Sequence, residues 1–77
     1  MPPIPIPKPS YLAGCEYLGA FSSERRWRTH GGNRVFTWDC LHGEIEVFNK
    51  RGRHLGVIDS INGNQIKDAV PGRKINV

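Results

Sequence analysis

A chain of 77 residues with a formal net charge of +4 can form one small domain, but it is too short to enclose a large cofactor cavity. A domain of this size buries only roughly 60 to 65% of its unfolded surface, so we expect any active surface to be shallow. Two cysteines are too few for a disulfide framework or a four-ligand zinc site, and no segment is apolar for long enough to cross a membrane.

The N-terminal segment, residues 1–9, is more than half proline, which excludes a helix or a central strand. We predict that residues 1–9 form an extended linker and that the domain comprises residues 10–77. A ligand for a proline-recognising groove is the alternative use of this segment. Ser10 is a suitable N-cap, and it predicts a short helix that ends near Gly19 or an irregular segment in its place.

The rest of the chain predicts short β-strands separated by tight turns. Strands are predicted over residues 34–38, 44–49, 54–59, 64–67 and 74–77, with turn signals at 29–33, 50–52, 62–63 and 71–72. Short strands at this spacing are typical of an antiparallel meander. We therefore predict a mainly β (α+β) single domain with a twisted antiparallel sheet.

A cluster of titratable residues lies in the middle of the chain. If residues 42–48 form a strand, His42, Glu44 and Glu46 project from one face, while Ile45 and Val47 project from the other. Carboxylates favour the protonated form of a neighbouring imidazole, so His42 can donate a proton while a glutamate acts as base. This pair suits cleavage of an RNA phosphodiester by its own 2′-hydroxyl. The alternative is an ordinary solvated strand face.

Two other chemistries use residues of the same region. Cys40, close to His42, could be a thiol nucleophile or simply a small packed residue, and its pairing with Cys15 is left open. Asp39, His42 and the two glutamates have suitable chemistry for a divalent metal, but their spacing matches no metal-nuclease motif. We expect no metal and no cofactor.

Basic residues surround this acidic cluster in the sequence. They are Arg25, Arg26, Arg28 and Arg34 before it, and Lys50, Arg51 and Arg53 after it. Arginine forks suit phosphate oxygens and base stacking, and aromatic residues are interleaved with them at Trp27, Phe36 and Trp38. The pattern predicts RNA binding, with carboxylates kept at the reacting position.

Between residues 25 and 77 the chain contains a series of short motifs in a specific order. They are Trp27, Gly31-Gly32, Trp38-Asp39, His42-Gly43-Glu44, Glu46, His54-Leu55-Gly56, Asp59, Gly63-Asn64-Gln65, Lys67, Pro71 and Arg73. This part of the chain resembles the cytotoxic ribonuclease domain of the ribosome-inactivating colicins. The resemblance covers about two-thirds of the chain, and it is the order and spacing together that make it specific.

The resemblance implies a bacterial toxin that cuts small-subunit ribosomal RNA at the decoding site, without metal, to give a 2′,3′-cyclic phosphate. By position, it implies that Glu46 is the general base and His42 the general acid. It also implies that Asp39 orients His42 and that Arg73 stabilises the transition state, with Glu44 as a possible supporting residue. Only the resemblance assigns a role to Arg73, which is distant from Glu46 in sequence.

The resemblance also implies partners and a location. They are the ribosome, a cognate acidic immunity protein and a larger toxin that is secreted by the producing bacterium and acts in the cytoplasm of the target bacterium. Cys40 and Leu41 stand where the family has more polar residues, and the segment before Arg25 has no clear counterpart. A ribonuclease of the same fold that cuts transfer or messenger RNA, or a non-catalytic RNA-binding module, remains as an alternative.

Overall fold

The computed structural model describes residues 2–21, 24–29 and 31–77. They form a six-stranded antiparallel sheet in which each strand pairs with its neighbours in sequence, so the predicted mainly β meander is confirmed. The strands are β1 (Glu16–Phe21), β2 (Glu24–Arg28), β3 (Arg34–Asp39), β4 (Glu44–Asn49), β5 (His54–Ile58) and β6 (Gln65–Asp68). No helix of the described residues is long and apolar enough to span a membrane.

The region between Ser10 and Ser23 differs from its prediction. The side chain of Ser10 caps a single 3-10 turn, Tyr11–Gly14, as a hydrogen-bond acceptor for the Leu12 amide at 3.2 Å. The predicted continuation of the helix toward Gly19 is wrong, because β1 begins directly after this turn. A bulge in the pairing of β1 with β2 interrupts the alternation that would have indicated a strand. Ser22 and Ser23 lie outside the described residues.

Four of the predicted strands are confirmed as β3 to β6, with ends shifted by no more than a residue or so. The predicted final strand, residues 74–77, is wrong. That segment forms only an isolated bridge between Lys74 and Arg53. It leaves the sheet edge and runs back to the β4–β5 turn, where the Ile75 amide donates to the Gly52 carbonyl at 2.9 Å.

The sheet has two unlike faces. The core face carries a buried apolar cluster, which Leu12 of the 3-10 turn covers: Leu12, Trp27, Phe36, Trp38, Ile45, Val47 and Ile58. The opposite face, which we call the second face, contains one row of residues paired across five strands: Arg26, Thr37, Glu46, Val57 and Lys67. Because residues directly opposite each other on paired strands share a face of the sheet, the charged and polar residues of this row project together.

The Pro-rich segment contacts the sheet. The Ile4 amide donates to the Cys40 carbonyl at 2.8 Å, and the Trp38 indole N–H donates to the Ile4 carbonyl at 3.0 Å. Ile6 packs against the apolar cluster of the core face. These contacts hold the start of the segment beside the end of β3. That residues 1–9 also link the domain to upstream sequence stays a prediction.

The C-terminal segment, residues 70–77, is held against β5 and the β4–β5 turn by backbone hydrogen bonds. The His54 amide donates to the Arg73 carbonyl at 3.0 Å, two residues before the contact of Ile75 with Gly52. Gly52 has a φ of +88°, and a Cβ placed there would lie 2.1 Å from the Ile75 carbonyl oxygen. Docking of this segment therefore depends on the absence of a side chain at Gly52.

Gly52→Ala should destabilise the protein more than Gly72→Ala. Gly72 also has a positive φ, +83°, but it faces open space, so its replacement carries only the backbone cost of about 1 to 2 kcal/mol. Gly52→Ala adds a steric clash, for which we expect a further loss of about 2 kcal/mol in the free energy of unfolding. Urea titration of both variants measures the difference. Equal losses would contradict the close packing at Gly52.

Candidate active site

A cleft of about 460 Å³ lies on the second face, where β3 ends and β4 begins. Four residues predicted from the resemblance line it together: Asp39, His42, Glu46 and Arg73. A smaller pocket of about 160 Å³ shares these four residues and adds Glu44, His54 and Lys67 to its lining. The structure thus brings the predicted residues to one shallow site, although their catalytic roles stay a prediction.

Asp39 fixes both the backbone and the ring of His42. Its Oδ1 accepts hydrogen bonds from the amides of Leu41, at 3.0 Å, and His42, at 3.2 Å. Its Oδ2 lies 2.8 Å from Nδ1 of the His42 ring. Burial alone would raise the pKa of Asp39, but the hydrogen bonds from His42 and Leu41 and the charge of His42 bring that pKa below its usual value.

The ionised Asp39 determines which ring nitrogen of His42 is available. A carboxylate is only an acceptor, so Nδ1 of His42 carries a proton and donates it to Asp39. Nε2 is then the nitrogen that can meet a substrate. The side chain of His42 is 56% exposed, which leaves it accessible from the cleft. This arrangement holds the ring by one nitrogen and leaves the other available for proton transfer.

Glu46 is a buried carboxylate with a partner on each oxygen. Only 8% of the residue is exposed. Its Oε1 lies 3.1 Å from Nε2 of His54, and its Oε2 accepts a hydrogen bond from Nη2 of Arg73. A buried charge without partners costs several kcal/mol, so these two donors are needed to keep the carboxylate in place.

His54 connects Glu46 to the C-terminal segment. Its Nδ1 accepts a hydrogen bond from the Val70 amide at 2.9 Å, so this nitrogen carries no proton. The ring proton is therefore on Nε2, which donates to Glu46. Sequence reasoning assigned His54 no role of its own. The signal that could have found it is the hairpin register, because His54 pairs with Phe48 and so lies diagonally beside Glu46 on the second face.

Glu44 lies at the edge of the site and is paired with Lys67. The Lys67 ammonium donates to Oε1 of Glu44 at 2.9 Å, and this hydrogen bond raises the pKa of Lys67. Asp39, His42 and Glu44 offer ligand atoms within 4.8 Å of one another, and their oxygen and nitrogen donors could hold a divalent cation. A cation would have to displace the protons and the ammonium that already satisfy these three groups. Absence of a resident metal stays a prediction.

The two cysteines do not pair with each other. Both have free thiols; Cys15 is half-buried and Cys40 is exposed. Burial raises the pKa of the Cys15 thiol. Cys40 also lines the cleft. The hydrogen-bonded acid and base groups of the cleft are provided by Asp39, His42, Glu46 and Arg73 instead.

The structure separates the basic residues into groups. Arg26 and Arg28 project from the second face, and with Lys50 they line a groove beside the cleft. Arg51 and Arg53 share a small pocket of about 220 Å³ with Arg73 and Lys74. The other two basic residues, Arg25 and Arg34, alternate onto the core-face side of their strands, where Arg25 lies over the Trp27 ring at 5.7 Å. Their use in RNA binding stays a prediction.

Replacement of His54 should show how much its two hydrogen bonds, to Glu46 and from Val70, contribute to stability. His54→Ala leaves the Val70 amide and one oxygen of Glu46 without partners, and we expect a loss of about 2 to 4 kcal/mol in unfolding free energy. His54→Gln can restore a donor to Glu46 and should recover part of that loss. Urea titration compares the two variants.

The tautomer of His54 can be measured directly in the unchanged protein. Nitrogen-15 NMR of the imidazole should show a protonated Nε2 and an unprotonated Nδ1 at neutral pH. A protonated Nδ1 would contradict the hydrogen bond from Val70 and, with it, the connection between Glu46 and the C-terminal segment.

The sequence was also compared with known proteins. A family model described as Cytotoxic matches residues 7–76. Colicin E3 of Escherichia coli is 40% identical over 52 residues, which cover 66% of this chain and 9% of that protein. Colicin-E6 and cloacin, also of Escherichia coli, are 36% and 34% identical over 58 residues, which cover 74% of this chain and 10% of each relative. The chain thus spans about a tenth of the length of these relatives. It belongs to the Cytotoxic family.

Proposed function

We propose that this chain is the ribonuclease domain of a bacterial toxin that cleaves small-subunit ribosomal RNA at the decoding site and thereby inhibits translation. The observation that carries the proposal is the meeting of Asp39, His42, Glu46 and Arg73 in one cleft of a Cytotoxic family member. This set supplies a proton acceptor, a proton donor and a cation to a single phosphate, as transesterification requires.

Glu46 is the general base of the proposed reaction. Each of its oxygens has one hydrogen-bond partner from the protein, and a carboxylate oxygen can accept a second. One of the remaining acceptor positions takes the proton of the 2′-hydroxyl as that oxygen attacks the adjacent phosphorus. His54 and Arg73 restrict the orientation of the carboxylate, so little reorganisation is needed when the RNA binds.

His42 is the general acid. In its protonated form it gives the Nε2 proton to the 5′-oxygen as the bond from phosphorus to that oxygen breaks. Asp39 holds the opposite nitrogen, so the ring stays oriented throughout the transfer. The products are a 2′,3′-cyclic phosphate on one fragment and a 5′-hydroxyl on the other. The proton taken by Glu46 and the proton released by His42 balance the reaction.

Arg73 stabilises the negative charge that develops on the phosphoryl oxygens. Its guanidinium has five N–H donors, and only one of them is needed for Glu46. The others can reach a non-bridging oxygen while the ion pair is kept. A base, an acid and a cation are thus all supplied by side chains, which is the basis for proposing a metal-independent reaction.

The substrate is proposed from charge as well as from the family. Carboxylates line the cleft, whereas cations line the groove and the small pocket next to it. The cations of the groove and the small pocket therefore bind most of a polyanion and place one of its phosphates at the carboxylates of the cleft. We propose that the ribosome is the target, and that the domain is part of a larger toxin that is secreted by one bacterium and acts in the cytoplasm of another.

The test uses the purified chain, intact bacterial ribosomes and a chelator. We expect one cut near the 3′ end of small-subunit RNA, and at least about a 100-fold lower rate for Glu46→Gln and for His42→Ala. Glu16→Gln, which alters a surface carboxylate paired with Arg28, is the matched control and should keep full activity.

Three other outcomes would contradict parts of the proposal. RNA binding without any cut would indicate the non-catalytic module instead. A cut only in transfer or messenger RNA would replace the proposed substrate, and loss of activity in the chelator would replace the metal-independent mechanism.

We also propose an acidic immunity protein as a partner, because the net charge of +4 offers a surface complementary to it. Attraction between opposite charges accelerates encounter and is screened by salt. We expect the association rate constant, measured by stopped-flow mixing with a candidate immunity protein, to fall at least about tenfold between low and high salt. An unchanged rate constant would count against electrostatic recognition.

A further inference from the structure

A second concavity lies on the second face, next to the candidate active site. Its volume is about 490 Å³, and we call it the Arg26 groove. Leu18, Phe21 and Val35 form its apolar wall. Arg26, Arg28 and Lys50 form its cationic rim. Among the described residues that line it, no side chain is acidic. The groove therefore offers an apolar surface to a flat ring and positive charge to an anion.

Arg26 is only partly satisfied by the protein. Its guanidinium lies over the Phe21 ring at 4.7 Å, and its Nη1 donates to the Asn76 carbonyl. Its Nε is buried and has no hydrogen-bond partner among the described residues. A buried donor without an acceptor is unfavourable, so a shift of the guanidinium that lets Nε reach an acceptor atom of a ligand would stabilise this side chain.

Nucleotides combine the two properties that the groove offers. A base has an apolar face that stacks on aromatic and guanidinium groups, and its phosphate is an anion that accepts hydrogen bonds. Phe21 is 47% exposed, so it is available for such stacking. The contacts of the groove thus favour a nucleotide. A purely apolar ligand would leave the cations unpaired, and a bare anion would leave the apolar wall exposed.

The position of the groove fits a substrate that also occupies the cleft. Arg26 pairs with Thr37, and Thr37 pairs with Glu46, so two strand spacings separate Arg26 from the proposed base, a distance of about 10 Å. Along the strands, the groove residues Val35 and Lys50 lie at the start of β3 and just after the end of β4. His42 lies in the turn at the opposite ends of these two strands, and Glu46 lies between that turn and Lys50. The groove is therefore on the Glu46 side of the site and away from His42.

This placement assigns a direction to the RNA. In the proposed reaction Glu46 meets the 2′-hydroxyl of the nucleotide on the 5′ side of the scissile phosphate, and His42 meets the oxygen on the 3′ side. We propose that the Arg26 groove binds a nucleobase on the 5′ side of the scissile phosphate, with a neighbouring phosphate on Arg26 and Lys50. The inference rests on the proposed function and deepens it by naming a substrate subsite.

The test compares short RNA substrates that share one cleavable step and are extended only on the 5′ side or only on the 3′ side. For the unchanged protein, the 5′ extension should raise kcat/KM by about tenfold or more, because stacking of one base contributes about 1 to 3 kcal/mol. Phe21→Ala and Arg26→Gln should both lose that gain, and Phe21→Ala should leave cleavage of the unextended substrate unchanged.

Arg25→Gln is the matched control. Arg25 adjoins Arg26 on the same strand but projects from the other face, so this variant should keep the full gain from the 5′ extension. An equal gain from the 3′ extension, or retention of the 5′ gain in Phe21→Ala, would overturn the proposal. Phe21→Ala changes a half-exposed side chain, so it tests the groove even if Arg26→Gln is destabilised by loss of its contact with Asn76.

A binding experiment separates failure of the groove from failure of the proposed function. The 5′-extended RNA, made uncleavable by 2′-O-methylation, is titrated into the Glu46→Gln variant while methyl NMR signals are followed. Shifts at Leu18 and Val35 that disappear in Phe21→Ala support the groove even if no RNA is ever cleaved. Cleavage that proceeds normally, with no shift at those methyl groups, overturns the groove and leaves the proposed function intact.

Discussion

The buried carboxylate of Glu46 is the group on which the arrangement of the site depends. It lies in the interior of the sheet, where an unpaired anion is strongly unfavourable, and its two partners come from different parts of the chain. His54 belongs to the next strand and Arg73 to the C-terminal segment, and the same segment supplies the amide of Val70 to His54. The site is complete only when the last residues of the chain are docked, which links the chemistry to the stability of that segment.

Charge is distributed unevenly over the second face. The centre contains Asp39, Glu44 and Glu46, and each carboxylate has a nitrogen donor as its partner: His42, Lys67 or Arg73. The excess positive charge lies in the groove and the small pocket on the periphery. An RNA backbone would be repelled by unpaired carboxylates at the centre, so pairing each of them locally allows anionic catalytic groups to operate on an anionic substrate.

Local patterns predicted the centre of the fold but not its edges. The strands that carry Asp39, Glu46 and His54 are rich in apolar and β-branched residues and are bounded by clear turns, which is why β3, β4 and β5 could be located from sequence. The first two strands were missed for different reasons. A bulge shifts the alternation in β1, and β2 has a single apolar residue, Trp27, among four charged ones. The final strand was predicted from β-forming residues, but those residues make backbone contacts with a turn instead.

The same distinction between local and distant contacts applies to the site. Asp39 and His42 are three residues apart, so their hydrogen bond is a local contact, and the resemblance to the colicin domain had implied it. No sequence pattern indicates that Val70 orients His54 or that Arg73 reaches Glu46, since these contacts follow from the path of the C-terminal segment. Sequence order also could not show which arginines lie on the face of the site. Arg25 and Arg26 are neighbours in sequence, yet they project from opposite faces of β2.

Arg73 has two functions in the proposed mechanism, and they are compatible only because of its geometry. In the free protein its guanidinium offsets the cost of burying Glu46, and during the reaction it must also meet the phosphate. A lysine has one compact charge and would have to leave the carboxylate to reach the substrate, whereas the planar fork of arginine can contact both groups at once. The residue that stabilises the site at rest can thus bring the phosphate to the base without first exposing a buried, unpaired anion.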